Sequence, residues 1–213
     1  MRQTKQEIFR RDYRPSNYWV RWVDLAFLVE QDHTLVRTRI LFKQNTEATD
    51  NSLFLHGSHL SLQRLSIDGR EVPVDDLHLT DEGLLLRDLP EQFELRSEVK
   101  IYPGENTALE GLYQSGEFFL TQCEAQGFRR ITYYPDRPDV LAPFAVTIVA
   151  DKSRYPVLLS NGNCIEKVMW KEGVTLPSGR TLLLSPLIYS LWLQVSYLTL
   201  AMSSRLCLAA RLL

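Results

Sequence analysis

The chain has 213 residues, 45% of them hydrophobic and 23% charged, enough apolar material for a real core beneath a soluble surface. A formal net charge of −2 gives no electrostatic reason to expect a nucleic-acid partner. Cys123, Cys164 and Cys207 are too widely spaced for a disulfide framework or a zinc knuckle. Reduced thiols in a cytoplasmic protein are therefore expected. The polar opening MRQTKQEIFRRDYRP carries no apolar secretory core.

Strand signals come first along the chain. WVDLAFLVE places Val23, Leu25, Phe27 and Val29 on one face at period two. After the polar break Gln31–Asp32–His33, TLVRTRILF does the same with Val36, Thr38, Ile40 and Phe42, leaving arginines opposite. The two segments predict an antiparallel hairpin with one wetter side. LSIDGREVPV predicts a second hairpin, because Asp68-Gly69 tolerates the positive φ angles of a type I′ turn.

LHLTDEGLLL turns at Asp81–Gly83, and Gln92–Leu95 and Val99–Ile101 read as two short strands. FAVTIVAD alternates again through Phe144, Val146 and Ile148, and SNGN at 160–163 supplies another tight turn. No amphipathic helix is evident before residue 180. Short strands separated by turn residues predict an all-β fold, a mostly antiparallel sheet or sandwich.

The most chemically loaded segment is TQCEAQGFRR, residues 121–130. On a strand, Gln122 and Glu124 project to one face and Cys123 to the other. A carboxylate and an amide set side by side in this way could recognise a ligand through hydrogen bonds. Downstream, TYYPDRPDV offers Asp136 and Asp139 as partners for Arg129, Arg130 or Arg137, which reads as a proline-braced corner tied by ion pairs.

Three segments together resemble the bacterial-type aminopeptidase N family, zinc aminopeptidases of the gluzincin class. They are RDYRPSNYWV, the run from Asn106 to Phe144, and DKSRYPVLLSNGN, and the similarity extends over about residues 8–180. The resemblance implies a saddle-shaped, mostly antiparallel N-terminal β domain standing ahead of a catalytic domain. It also implies that Glu124 binds the free α-amino group of a peptide substrate and that Gln122 lies beside the first side-chain pocket. The chain departs from the family pattern at Gln126 and Arg130, where close relatives carry an acidic residue and a histidine.

That family cuts peptides with an H-E-x-x-H helix on zinc, and no such motif occurs among the 213 residues. The close pair His56 and His59 is offset by three, with no acid between, and is expected to hold no metal. No G-x-S-x-G elbow, P-loop or exopeptidase G-A-M-E-N motif is present either. The expectation is half a site. The amine anchor is here, catalytic residues and metal ligands are not, and zinc belongs to a full-length enzyme whose catalytic domain would be the partner. The alternative is a non-catalytic module that binds peptides or proteins, anchored to a membrane if 181–204 spans one.

The stretch 181–204 carries no charge, and 181–213 holds two arginines and no acidic residue. A membrane span is disfavoured by Pro186, Gln194 and several hydroxyl residues. A back-translation of 181–197 read one nucleotide earlier encodes a family-like strand instead. Residues 1–180 are thus expected to form the β domain, and 181–213 an irregular, out-of-frame apolar tail.

Overall fold

The computed structural model describes residues 9–169, 174–186 and 193–196, with side chains described through residue 162. The expected hairpin is present as β1 (Tyr18–Val29) and β2 (Thr34–Gln44). Next come β3 (Leu53–His56), then β4 (Ser61–Ile67) and β5 (Arg70–Glu71), joined at Asp68-Gly69. Both turn residues have positive φ, 49° and 77°, which makes this the hairpin that the Asp-Gly pair predicts. Strands β6 (His78–Thr80) and β7 (Gly83–Leu86) pair around the Asp81–Gly83 turn.

Residues Gln92–Ile101 form one ten-residue strand, β8, not two short ones. Its middle keeps the alternation: Arg96 and Glu98 face outward, where Arg96 pairs with Glu94 and Glu98 with Arg37, and Ser97 is buried. Then follow β9 (Gly111–Ser115), β10 (Phe118–Gln122), β11 (Leu141–Asp151), β12 (Val157–Ser160), β13 (Asn163–Met169), β14 (Val174–Pro186) and β15 (Leu193–Ser196). Only short 3-10 turns interrupt this all-β succession among the described residues.

Among the described residues three sheets result: β13-β14-β11-β1-β2-β8-β4-β5, β12-β15-β10-β9, and β3-β7-β6. Pairing is antiparallel except that β1 runs parallel to β11. The described parts of the apolar tail are extended. Residues 181–186 finish β14 against β11, and β15 lies between β10 and β12. The remainder of the tail lies outside the described residues.

Register across the large sheet stacks its inward side chains in rows. Phe144, Val23, Ile40 and Leu95 face one another on β11, β1, β2 and β8, as do Ile148, Phe27, Val36 and Val99. All eight are buried, and each contributes roughly 1.5–3 kcal/mol from leaving water. The row between them is different. It runs Val146, Leu25, Thr38, Ser97, with two buried hydroxyls in an apolar face. The Thr38 hydroxyl meets that of Thr132 at 2.8 Å, so this polar spot is where the segment after β10 docks on the sheet. On the outer face Arg39 bridges Asp24 and Glu94, a solvated pairing worth at most about 1 kcal/mol per contact.

Candidate functional site

The site begins where β10 stops. Gln122 is the last strand residue, paired with Gly111 of β9. Glu124 therefore lies two residues past the strand, in a turn, and not on the strand itself. The chain reverses because the Gly127 amide donates to the Cys123 carbonyl at 2.9 Å. The alternation expected of a strand nevertheless persists. Thr121 and Cys123 are buried, while Gln122 and Glu124 are exposed on the opposite side. The Gln122 amide donates to the backbone carbonyl of Glu124 at 3.3 Å, so the two residues are brought together. The Glu124–Ala125 peptide is cis.

Glycine is required at the exit of this turn for reasons of space. A Cβ on Gly127 would lie 2.3 Å from the Gln122 carbonyl oxygen and 2.9 Å from the Gly111 nitrogen. Opposite it, Gly111 has φ +72° and packs on the Cβ of Arg130. The two glycines let the turn lie flat against β9. Burial pushes the Cys123 thiol far above its ordinary range, with the Asp136 carboxylate adding to the effect. A thiol held protonated in this way is a packing group and not a nucleophile.

Beneath the turn, residues 131–136 are six consecutive buried residues in neither helix nor extended sheet. Among them Tyr134 exchanges a reciprocal pair of backbone hydrogen bonds with His56, 2.8 and 3.1 Å, and the Ile131 and Thr132 amides donate to the Phe128 carbonyl, as burial demands. The ion pairs resolve as Arg129 with Asp136 and Arg137 with Asp139, while Arg130 turns to Glu110. The Asp136 side chain is fully buried. Its Oδ2 accepts from the Arg129 amide at 3.2 Å and from Arg129 Nε at 2.8 Å. Its carbonyl accepts from Arg129 Nη2 at 3.1 Å, and its own amide donates to His56 Nδ1 at 3.1 Å.

Sequence reasoning named the candidate partners of Asp136 but missed its central place and the part played by His56. No local pattern signals a contact between residues 80 positions apart. Burial, then the positive charge of Arg129, holds the His56 imidazole below its usual range. Its neutral form is the one that can accept from the Asp136 amide at Nδ1.

The sequence matches the family described as the Peptidase M1 N-terminal domain over residues 14–177. The chain belongs to that family. As an M1 N-terminal domain it is 45% identical to aminopeptidase N of Escherichia coli K12 over 173 residues, which is 81% of this chain and 20% of that protein. It is 42% identical to aminopeptidase N of Caulobacter vibrioides over 160 residues, 75% of this chain and 18% of the relative.

Among solved structures, aminopeptidase A of Legionella pneumophila, in complex with aspartic acid, superposes with a TM-score of 0.82 at 30% identity. That likeness covers 89% of this chain and 22% of the solved one. An M1 zinc metallopeptidase of Deinococcus radiodurans shares the fold at a TM-score of 0.69 and 17% identity, covering 84% of this chain and 42% of its own. The chain spans about a fifth of the length of the curated relatives it matches.

The family is one of zinc metallopeptidases, and the described residues of this domain do not fit a zinc site. No group of three or more His, Cys, Asp or Glu side chains is arranged to hold a metal among them. His56 Nδ1 is occupied by the Asp136 amide, and His59, exposed and at φ 57°, pairs with its neighbour Ser58 at 2.8 Å. Among the described residues no helix is long and apolar enough to cross a membrane.

Proposed function

We propose that this M1 N-terminal domain supplies the amine-recognition face of a zinc aminopeptidase that removes N-terminal residues from peptides. Glu124 accepts hydrogen bonds from the α-ammonium group of the substrate, and Gln122 lines the position of its first side chain. The observation that carries this reading is the shared exposure of the two side chains around buried Cys123, on a turn braced from below. That a solved relative holds a free amino acid, aspartic acid, supports the ligand class.

Zinc and the bond-cutting groups are assigned to a catalytic domain, because the H-E-x-x-H motif is not in this sequence. No hydrolytic step is therefore given to this chain. We further take 181–213 as an out-of-frame segment, whose described parts, 181–186 and 193–196, nonetheless pair with strands of the β domain. The family match ends at residue 177 and the tail holds no acidic residue. Sequencing the gene across codons 179–180 tests that point.

An NMR titration of the chain with a short peptide, free or N-acetylated, tests recognition. The expected result is that the Gln122 and Glu124 amides shift with the free peptide at concentrations up to about 50 mM and do not shift with the acetylated one. Equal shifts with both peptides would refute the assignment.

A further inference from the structure

We infer that Asp136 is a positioning residue for the Gln122–Glu124 face, acting from beneath it without touching the ligand. The inference rests on the recognition reading above, and extends it to a residue that makes no contact with substrate.

The exposed part of the turn, Glu124 to Gln126, is a short span between two fixed ends. At the entry Cys123 is buried, and at the exit Gly127 is wedged between the Gln122 carbonyl and the Gly111 amide. The 3-10 turn Phe128–Arg130 follows at once, so whatever holds Arg129 holds the exit. Three bonds from Arg129 reach Asp136: one from its amide and two from its guanidinium. The Arg129 carbonyl in turn accepts from the Ser58 amide at 2.9 Å. Asp136 is itself fixed through His56 Nδ1 to the end of β3. Thus a chain of hydrogen bonds runs from β3 through Asp136 and Arg129 to the recognition turn.

A second observation points the same way. Asp136 Oδ1 and the Tyr134 hydroxyl are both buried without a hydrogen-bond partner among the described atoms. A half-satisfied carboxylate in a low-dielectric setting is costly to keep. Stability alone would favour an apolar pair in place of both Asp136 and Arg129. Retaining the carboxylate makes sense if holding Arg129 in one orientation is what it does.

The test compares Asp136→Ala and Asp136→Asn with the wild-type chain by amide hydrogen exchange, together with the peptide titration above. Asparagine keeps one side-chain acceptor oxygen for Arg129; alanine keeps only the backbone carbonyl that Nη2 reaches. In Asp136→Ala, exchange at Ser58, Gly127, Arg129 and Arg130 is expected to rise about 10-fold or more, while that of Phe27 and Ile40 in the β1–β2 ladder is unchanged. The amine-specific shift of Glu124 is expected to weaken about 10-fold in parallel, and Asp136→Asn to fall between the two.

A rise shared equally by the β1–β2 ladder, or none at the turn, would overturn the inference. If Asp136→Ala does not fold, Asp136→Asn decides by the same comparison at smaller amplitude. Should the wild-type chain give no amine-specific shift, the recognition reading falls, while the exchange pattern still decides whether Asp136 holds the turn.

Discussion

Replacing Gly127 with alanine isolates the packing that shapes the turn after β10. Gly127 has φ −82° and ψ −16°, a conformation that alanine adopts freely, so backbone strain plays no part. The obstacle is space. The new Cβ would stand 2.3 Å from the Gln122 carbonyl oxygen, 2.9 Å from the Gly111 nitrogen and 3.0 Å from the Cys123 Cα. All three are backbone atoms, and none can swing aside as a side chain would. Restoring ordinary contact needs a shift of about 1 Å, which stretches the Gly127–Cys123 hydrogen bond and the Gln122–Gly111 pairing. Overpacking costs about 1–3 kcal/mol and each of the two weakened contacts about 0.5–1.5 kcal/mol, so a loss of about 2–6 kcal/mol is expected.

Gly69 is the control. It has φ +77° and open space around its Cβ position, so alanine there meets only the left-handed penalty, about 1 kcal/mol after the gain from a stiffer unfolded chain. Urea unfolding of the two variants, followed by tryptophan fluorescence, makes the comparison. In a chain of this size each kcal/mol also lowers Tm by about 2–4 °C. If Gly127→Ala costs no more than Gly69→Ala, the steric account of the turn is wrong.

Other outcomes follow from the same geometry. Glu124→Gln should leave Tm unchanged, because the side chain is exposed, yet remove the amine-specific NMR response, a loss of about 1.5–3 kcal/mol in binding. Tyr18→Phe should destabilise the fold by about 1–3 kcal/mol, since the Tyr18 hydroxyl donates to the buried Leu89 carbonyl at 3.1 Å; urea midpoints measure it. The folded-state pKa of His56 lies below its unfolded value near 6.5, so its contribution is whole above about pH 6.5 and is lost as pH falls through the folded value. Stability below pH 6.5 should consequently fall more steeply in the wild type than in His56→Asn. Cys123, buried with its thiol pushed upward, should react with a thiol reagent only after unfolding, as mass spectrometry would show.

Alternation made the strands readable. Val23, Leu25 and Phe27 face inward on β1, as do Val36, Ile40 and Phe42 on β2, because a half-buried strand needs that period. Alternation says which side of a strand is wet but not which strand lies next to it. The parallel pairing of Val23 with Phe144, 121 positions away, was therefore invisible. So was the unity of β8, whose Arg96–Glu98 stretch looks like a break until its outward ion pairs are in place. At the site, exposure of Gln122 and Glu124 followed from the same period. The early end of the strand did not, because it depends on Gly127 meeting backbone from β9. Thr38 was read as part of an apolar face, and its reason for being a threonine emerged only with Thr132 opposite it.

Affinity arithmetic bears on which functional reading the domain can sustain. A dissociation constant of 1 mM requires about −4.1 kcal/mol. The proposed Glu124 contact, on an exposed turn, would offer about 1.5–3 kcal/mol before the cost of immobilising a peptide is subtracted. A free-standing module built on this face would therefore hold peptides more weakly than millimolar, too loosely to serve as a capture device. The same contact becomes valuable when a second surface closes over it, because excluding water strengthens a carboxylate–ammonium pair several-fold. A face that is weak alone and strong when enclosed suits one wall of a larger active site. The binding-module alternative would be restored by a free peptide that saturates the isolated chain below about 1 mM.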